Sequence, residues 1–222
     1  MIEKERYSND WKLYPSVTEV QKDFPSRPLL RWFKSQTKYE IERKSEKGME
    51  IGKVLHELRS KLDEGEPFDI VSQYPEEIKN CIRSYIDWKK SCGIPLKKYR
   101  EVKMLSQGFG FKGTFDDLAV NQNNTMLLEY KTSKAIYEDH LEQVIAYKLL
   151  YESADLVSEP MLDPPEYPIR QVWVIRFAKN EPKFEAHLVT KEEEEMAKAD
   201  FLNKLLLYKN RDKREALWQK SS

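Results

Sequence analysis

The order of the strand and helix patterns constrains the fold of this chain more than any other feature. Three strand-like segments come first, with an Asn-rich turn at residues 121–124 before the third, and a helical segment then separates them from two more. The strand-like segments are residues 99–105, 109–120, 126–130, 171–177 and 184–189, and the helical segment is 137–152. A short turn joins antiparallel strands, whereas a crossover helix joins parallel ones. The sequence therefore predicts an α/β fold, with an α+β mixed sheet that is mostly antiparallel and flanked by helices.

Helical segments also precede and follow this pattern. Apolar residues recur at helical spacing over residues 45–62 and 75–93, and Thr190 with Glu193 fits the capping box of a last helix, expected over 190–218. No change in composition divides the 222 residues, so we expect one domain. It would comprise a helical N-terminal region at 1–70, a core at 76–189 with a Pro-rich loop at 160–168, and the C-terminal helix.

Composition limits the classes of function. Lys plus Arg and Asp plus Glu both number 38, so a surface that binds nucleic acid has to be a local basic patch. Cys81 and Cys92 cannot supply the four thiolates of a zinc or iron–sulfur site, and we interpret Cys81 as a small core residue. With no signal peptide and no apolar segment long enough to cross a bilayer, we expect a cytoplasmic protein with no membrane partner.

Two acids and one amine are expected to meet beside the Asn-rich turn. Asp116 precedes the turn and Glu129 follows it, so a hairpin would place their carboxylates at neighbouring positions. Strand period puts Glu129 and Lys131 on one face and Tyr130 on the other. Carboxylates of this kind suit Mg²⁺ or Mn²⁺, which would polarise a phosphoryl oxygen while Lys131 offsets negative charge. The alternative is that these residues are ordinary solvated charges on an exposed strand and near a turn.

Helical segments contribute further polar candidates. Gln143 and Tyr147 are one helical turn apart and share a face, on which they would contact a DNA backbone or support Lys131. His56 stands beside the apolar stripe of its helix and would be an extra metal ligand. The alternatives are a half-buried helix aromatic for Tyr147 and an ordinary core or surface histidine for His56.

Taken in order, these residues resemble the PD-(D/E)XK nuclease superfamily, and within it the RecB-like branch. The branch signature is a helical His, then G-x-x-D, (D/E)-x-K and Q-x-x-x-Y, and the matching positions are His56, Gly113 with Asp116, Glu129 with Lys131, and Gln143 with Tyr147. The resemblance implies a restriction-endonuclease-like core. In that core His56, Asp116 and Glu129 would bind Mg²⁺ or Mn²⁺, Lys131 would be the catalytic lysine, and Gln143 and Tyr147 would support it. Some relatives carry an iron–sulfur cluster bound by four cysteines, which this chain lacks, so we expect no cluster.

The N-terminal segment adds less specific candidates. Ser16 and Thr18, followed by Arg31 and Trp32, are similar to a segment of phage-type and mitochondrial genome maintenance exonucleases. Glu101, on the first predicted strand, is either an acid near the metal or an exposed strand residue. Aromatic residues alternate here with basic ones and would either bind a single strand or pack a helical cap onto the sheet. They are Tyr7, Trp11, Tyr14, Trp32 and Phe33, among Lys12, Arg27, Arg31 and Lys34.

The resemblance implies a metal-dependent nuclease that hydrolyses phosphodiester bonds. The expected activity is an exonuclease acting on DNA ends or single-stranded DNA in replication, recombination or repair, in the cytoplasm of a host cell if the source is viral. An endonuclease, including a dimeric junction-resolving enzyme, stays open as an alternative. So does a non-catalytic module that binds DNA or protein. The expected partner is DNA, with a second copy of the chain, a helicase or a recombination protein as further candidates.

Overall fold

A computed structural model describes residues 11–92, 97–121, 124–157 and 168–211. The helices are α1 (Val17–Asp23), α2 (Arg27–Lys34), α3 (Lys38–Asp63), α4 (Glu76–Cys92), α5 (Glu138–Ser153) and α6 (Lys191–Lys209). The strands are β1 (Lys97–Arg100), β2 (Lys103–Ser106), β3 (Phe111–Thr114), β4 (Asp117–Asn121), β5 (Asn124–Lys131), β6 (Leu156–Val157), β7 (Gln171–Phe177) and β8 (Phe184–Leu188). In these ranges no helix combines the length and the apolar character that crossing a membrane requires.

The strands form a five-stranded sheet in the order β1-β4-β5-β7-β8 and a three-stranded sheet in the order β3-β2-β6. In the larger sheet β5 and β7 run parallel, with Glu129 opposite Val174, and its other pairs are antiparallel. Helix α5 connects β5 to this parallel strand, as the sequence predicts. The mixed α/β fold class, with helices flanking a mostly antiparallel sheet, is confirmed.

The first three predicted strands pair antiparallel in sequence order, but the first two are not continuous. The segments predicted as strands 99–105 and 109–120 each divide between the two sheets, because the paired strands bend together. At the bend Glu101 has a φ of +49°, and its amide donates a hydrogen bond to the carbonyl of Asp116 at 3.0 Å. Glu101 therefore lies in a bend rather than on a strand. A pair of polar residues interrupts the apolar alternation on each strand at the bend, Arg100-Glu101 and Asp116-Asp117.

Several boundaries of the predicted elements also change. Helix α3 begins well before residue 45 because Thr37 and Glu40 form a capping box, and the short strand β6 has no predicted counterpart. The capping box at Thr190 and Glu193 is confirmed, and α6 extends to Lys209. The Pro-rich stretch up to residue 167 and the last residues of the predicted C-terminal helix lie outside the described residues.

Each face of the larger sheet packs against its own helices. On one face α3 and α4 cover Ala119, Leu128, Tyr130, Ile175 and Phe177. On the other, α1, α5 and α6 cover Leu118, Leu127, Val172 and Val174. Cys81 is fully buried in the first of these layers, as predicted. Because strand side chains alternate, consecutive residues at the end of β5 enter different layers.

Candidate active site

The end of β5 brings together the acids that the sequence predicts as neighbours. Asp117 pairs with Leu128 across the β4–β5 ladder, which leaves Asp116 opposite Glu129. The backbone amide of Tyr130 donates a hydrogen bond to Asp116 Oδ2 at 2.8 Å. The Asp116 carboxylate is thus held beside the strand that carries Glu129 and Lys131. Side-chain exposure is 15% for Asp116 and 3% for Glu129.

A continuous chain of hydrogen bonds joins β5 to helix α5. Lys131 Nζ donates to Glu129 Oε1 at 2.6 Å and to Gln143 Oε1 at 2.7 Å. Gln143 Nε2 in turn donates to the hydroxyl of Tyr147 at 2.9 Å. This arrangement fixes the ammonium of Lys131, and the supporting role of Gln143 and Tyr147 stays a prediction.

Glu129 is held in an electrostatically unfavourable position. Burial raises its pKa, the nearby charge of Asp116 raises it further, and Lys131 opposes both effects. Within the described part of the chain, its buried Oε2 accepts no hydrogen bond. A buried acceptor normally has a partner, and an exception calls for an explanation such as an ion. A second positive charge at this position would relieve both the missing bond and the repulsion between the acids.

His56 and Glu101 lie at the edge of this site. His56 Nε2 is 3.6 Å from Asp116 Oδ1, and its Nδ1 is 3.6 Å from Glu101 Oε1. The His56 side chain is mostly buried, whereas that of Glu101 is 64% exposed. Helix α3 thus brings His56 next to Asp116.

The donor set fits a divalent cation that keeps most of its water. Magnesium is usually bound by one or two carboxylates together with waters and substrate phosphate. Asp116 and Glu129 supply two such carboxylates, and Glu129 has an oxygen without a partner. Across the residues that the structure describes, no three His, Cys, Asp or Glu side chains are grouped as a complete metal site. The role of His56 as a third ligand therefore stays a prediction.

Gly113 permits α5 to approach the smaller sheet. A Cβ atom at Gly113 would lie 2.7 Å from Tyr147 Cε1 and 2.8 Å from Leu150 Cδ1, closer than real contacts allow. The absence of a side chain therefore makes room for the ring of Tyr147, which closes the hydrogen-bond chain from Lys131.

Arg59 is the site-associated residue that the motifs do not include. Its side chain is 2% exposed, pairs with Asp117 and lies 3.9 Å from the centre of the Tyr130 ring. Its Nη2 is 3.4 Å from His56 Nδ1. Arg59 lies on the same helix as His56 and contacts Asp117 and Tyr130, the residues that directly follow the two acids in sequence. A charged residue within the apolar stripe of α3 was the sequence signal that could have identified it.

The N-terminal candidates have different locations. Ser16 is the N-cap of α1, where it forms a capping box with Glu19 and lies 3.2 Å from the Thr18 hydroxyl. This accounts structurally for both residues, and they are not among the contacts of the two acids. Trp32 lines a groove that also includes His140, whereas Arg31 is not part of its lining. Of the other predicted aromatics, Trp11 packs against Lys112, and Tyr7 lies outside the described residues.

Comparisons with known proteins give only remote similarities. No protein-family model and no curated protein matches the chain. Similar solved structures include SSO0001, with 14% identity over 71% of this chain and 71% of that chain, and a TM-score of 0.35. Another is an alkaline exonuclease (LHK-Exo) from Laribacter hongkongensis, with 12% identity over 61% of this chain and 70% of that chain, and a TM-score of 0.31. Both scores are too low to assign a family, and the function is therefore inferred from the site.

Proposed function

We propose that this chain is a metal-dependent DNA nuclease of the PD-(D/E)XK superfamily, in its RecB-like branch, and that it hydrolyses phosphodiester bonds. The observation that carries the proposal is the state of Glu129. This buried carboxylate lies beside Asp116 and next to a fixed lysine, and its Oε2 lacks a partner in the described part of the chain. A purely structural acid would instead be expected to lie away from a second carboxylate, and the charge of Asp116 raises the pKa of Glu129.

Asp116 and Glu129 would hold Mg²⁺ or Mn²⁺, with His56 as a third candidate. When bound, such a cation polarises a phosphoryl oxygen and lowers the pKa of a coordinated water. Iron–sulfur chemistry has no part in the proposal.

Lys131 would stabilise negative charge on the scissile phosphate or orient the attacking water. Its ammonium has three hydrogen-bond donors, and Glu129 and Gln143 accept two of them. The third is available for an oxygen of the substrate or a water. Tyr147 holds the Gln143 amide, so the ammonium is positioned before substrate binds, and preorganised charge of this kind is effective in catalysis.

We propose exonuclease activity on ends or single-stranded DNA, with a role in replication, recombination or repair. The test uses labelled linear single strands, the matching duplex and a closed circular single strand, each with Mg²⁺, Mn²⁺ or chelator. Metal-dependent loss of linear DNA with an intact circle would support an exonuclease. Cutting of the circle would establish an endonuclease instead.

Variants at the site test the chemistry. Lys131→Met should lower the cleavage rate by about 100-fold or more, because a preorganised charge that acts in the transition state is lost. Glu129→Gln should also abolish most activity. Glu185→Gln is a matched control, since Glu185 lies on β8 of the same sheet and pairs with Arg176 of β7. Wild-type cleavage in Lys131→Met, or no metal-dependent cleavage of any substrate by the wild type, would overturn the proposal.

A further inference from the structure

A groove of about 810 Å³ lies between α2, the first half of α3 and the segment that leads from β5 into α5. We call it the α2–α5 groove. Two aromatic side chains line it, Trp32 from α2 and Tyr137 from the residue before α5. Tyr137 is 37% exposed. Aromatic rings accessible from a groove can stack on the bases of an unpaired strand, whatever the sequence.

The α2–α5 groove is locally basic although the chain as a whole is neutral. Four lysines line it, namely Lys44, Lys47, Lys134 and Lys179. Its two acids are already engaged, since Glu77 pairs with Lys47 at 2.6 Å and Asp139 accepts a hydrogen bond from Ser26 at 2.6 Å. The structure gives Lys134 and Lys179 no ion pair with another described residue. This is the local patch that a neutral chain needs in order to bind phosphates.

His140 adds a neutral donor to the same groove. Its Nδ1 accepts a hydrogen bond from the amide of Tyr137 at 3.2 Å, so in the neutral ring the proton is on Nε2. Burial lowers the pKa of His140 to about 3, and the charge of Lys131 contributes to the decrease. The ring therefore remains neutral at physiological pH.

One wall of the α2–α5 groove is formed by the chain segment that directly follows the candidate active site. The segment from Ser133 to His140 forms one of its walls and begins two residues after Lys131. His140 lies one turn of α5 before Gln143, which accepts a hydrogen bond from Lys131. A strand bound in the groove would therefore run along α5 toward Lys131 and Glu129.

We propose that the α2–α5 groove binds an unpaired DNA strand, with bases stacked on Trp32 and Tyr137 and phosphates bound by Lys44, Lys134 and Lys179. The inference rests on the proposed nuclease function, because it assigns the path by which substrate reaches that site. A duplex is a poorer fit, since its bases are already stacked and cannot also lie against two side chains.

Binding is measured separately from cleavage. Fluorescence anisotropy with a labelled oligothymidylate and with a duplex, both in chelator, gives affinities for wild type and for Glu129→Gln. The double variant Trp32→Ala/Tyr137→Ala should bind the single strand about 10-fold or more weakly. Lys44→Gln and Lys134→Gln should each reduce the slope of log affinity against log salt by about 0.7, as loss of one single-strand phosphate contact does.

Matched controls separate the groove from general effects on the surface. Tyr39→Ala removes an aromatic side chain that is 70% exposed and outside the groove lining, and Lys198→Gln removes an exposed lysine of α6. Both should bind like wild type. Trp32→Phe should keep most of the binding because it retains a ring, and thermal melts of every variant would identify any that fail to fold.

The outcomes distinguish the two proposals. Binding that depends on the groove but is not accompanied by cleavage under any metal would leave the groove standing and remove the nuclease function. Metal-dependent cleavage with single-strand affinity unchanged by Trp32→Ala/Tyr137→Ala would overturn the groove alone. Equal affinity for duplex and single strand would also overturn it.

Discussion

The two faces of the larger sheet each bury a carboxylate at or beside β5, Asp117 of β4 on one face and Glu129 on the other. The charges that surround these two carboxylates differ. On the face toward α3 and α4, Asp117 pairs with Arg59 and accepts a hydrogen bond from the Tyr130 hydroxyl at 2.8 Å. On the face toward α5, Glu129 has Lys131 as its partner but lies beside a second acid, Asp116.

The pKa shifts express the same difference. Burial by itself would lower the pKa of Arg59, yet Asp117, with smaller contributions from Tyr130, Asp116 and Tyr85, outweighs burial and raises it. For Glu129, burial and Asp116 act together to raise the pKa of the acid. The first face is therefore arranged to keep both charges paired, and the second retains a site that a cation would complete. We call the first, with Arg59 and Asp117, the paired face and interpret it as support for the fold. We call the second, with Asp116, Glu129 and Lys131, the reactive face.

The largest expected effect comes from breaking the paired face. Arg59→Met should lower the free energy of unfolding by about 3–5 kcal/mol, because it leaves the Asp117 carboxylate buried without its cation. Chemical denaturation measures this change. Arg59 also lies near His56, so cleavage by Arg59→Met should be assayed at a temperature below the unfolding transition of this variant.

A double-mutant cycle tests whether pairing is the cause. Arg59→Met/Asp117→Leu should lose less stability than the sum of the two single variants, because no charge remains unpaired. Simple addition of the two losses would show that Arg59 acts through packing with Tyr130 and Tyr85 rather than through its charge.

A smaller effect should appear when metal is added to the reactive face. A ligand that binds only the folded state adds about 1.4 kcal/mol for each tenfold increase above its dissociation constant. Mg²⁺ or Mn²⁺ should therefore raise the melting temperature of wild type but not that of Glu129→Gln. In chelator the variant should melt no lower than wild type, because one of two repelling acids is removed.

Asp117→Asn is the matched control for the metal response. It removes a buried carboxylate from the paired face, so it should lower stability and still allow metal to raise the melting temperature. An equal metal response in wild type and Glu129→Gln would contradict the assignment of Glu129 as a ligand.

Local patterns were sufficient to predict much of the fold. Helical spacing and turn residues located the crossover helix, the parallel strand and the capping box at Thr190. The bend at Glu101 and Asp116 was missed, although a pair of polar residues interrupts the apolar alternation on each strand there, Arg100-Glu101 and Asp116-Asp117. Its cause is the long-range pairing of β1 with β4 and of β2 with β3, which no local pattern contains.

The candidate site was predictable where spacing along one element determines proximity. Glu129 with Lys131, and Gln143 with Tyr147, follow from strand and helix periods. Arg59 and the α2–α5 groove depend on contacts between elements distant in sequence. The N-terminal aromatics illustrate this limit, because composition marked Trp11 and Trp32 alike, whereas packing places only Trp32 in the groove.

The smallest expected effect concerns the pH dependence of stability on the reactive face. Burial and the charge of Lys131 lower the pKa of His140 from 6.5 to about 3, so the unfolded chain binds more protons than the folded one between these values. The stability that His140 contributes is fully present above pH 6.5 and is lost as pH falls toward 3. Between pH 4.5 and 6.5, wild type should therefore show a slope of unfolding free energy against pH that is steeper than that of His140→Gln, by up to about 1.4 kcal/mol per unit. Chemical denaturation of both proteins at several pH values measures this slope. Parallel curves for wild type and His140→Gln would mean that the reactive face tolerates a second cation beside Lys131, and the contrast between the two faces of the larger sheet would then reduce to the two acids alone.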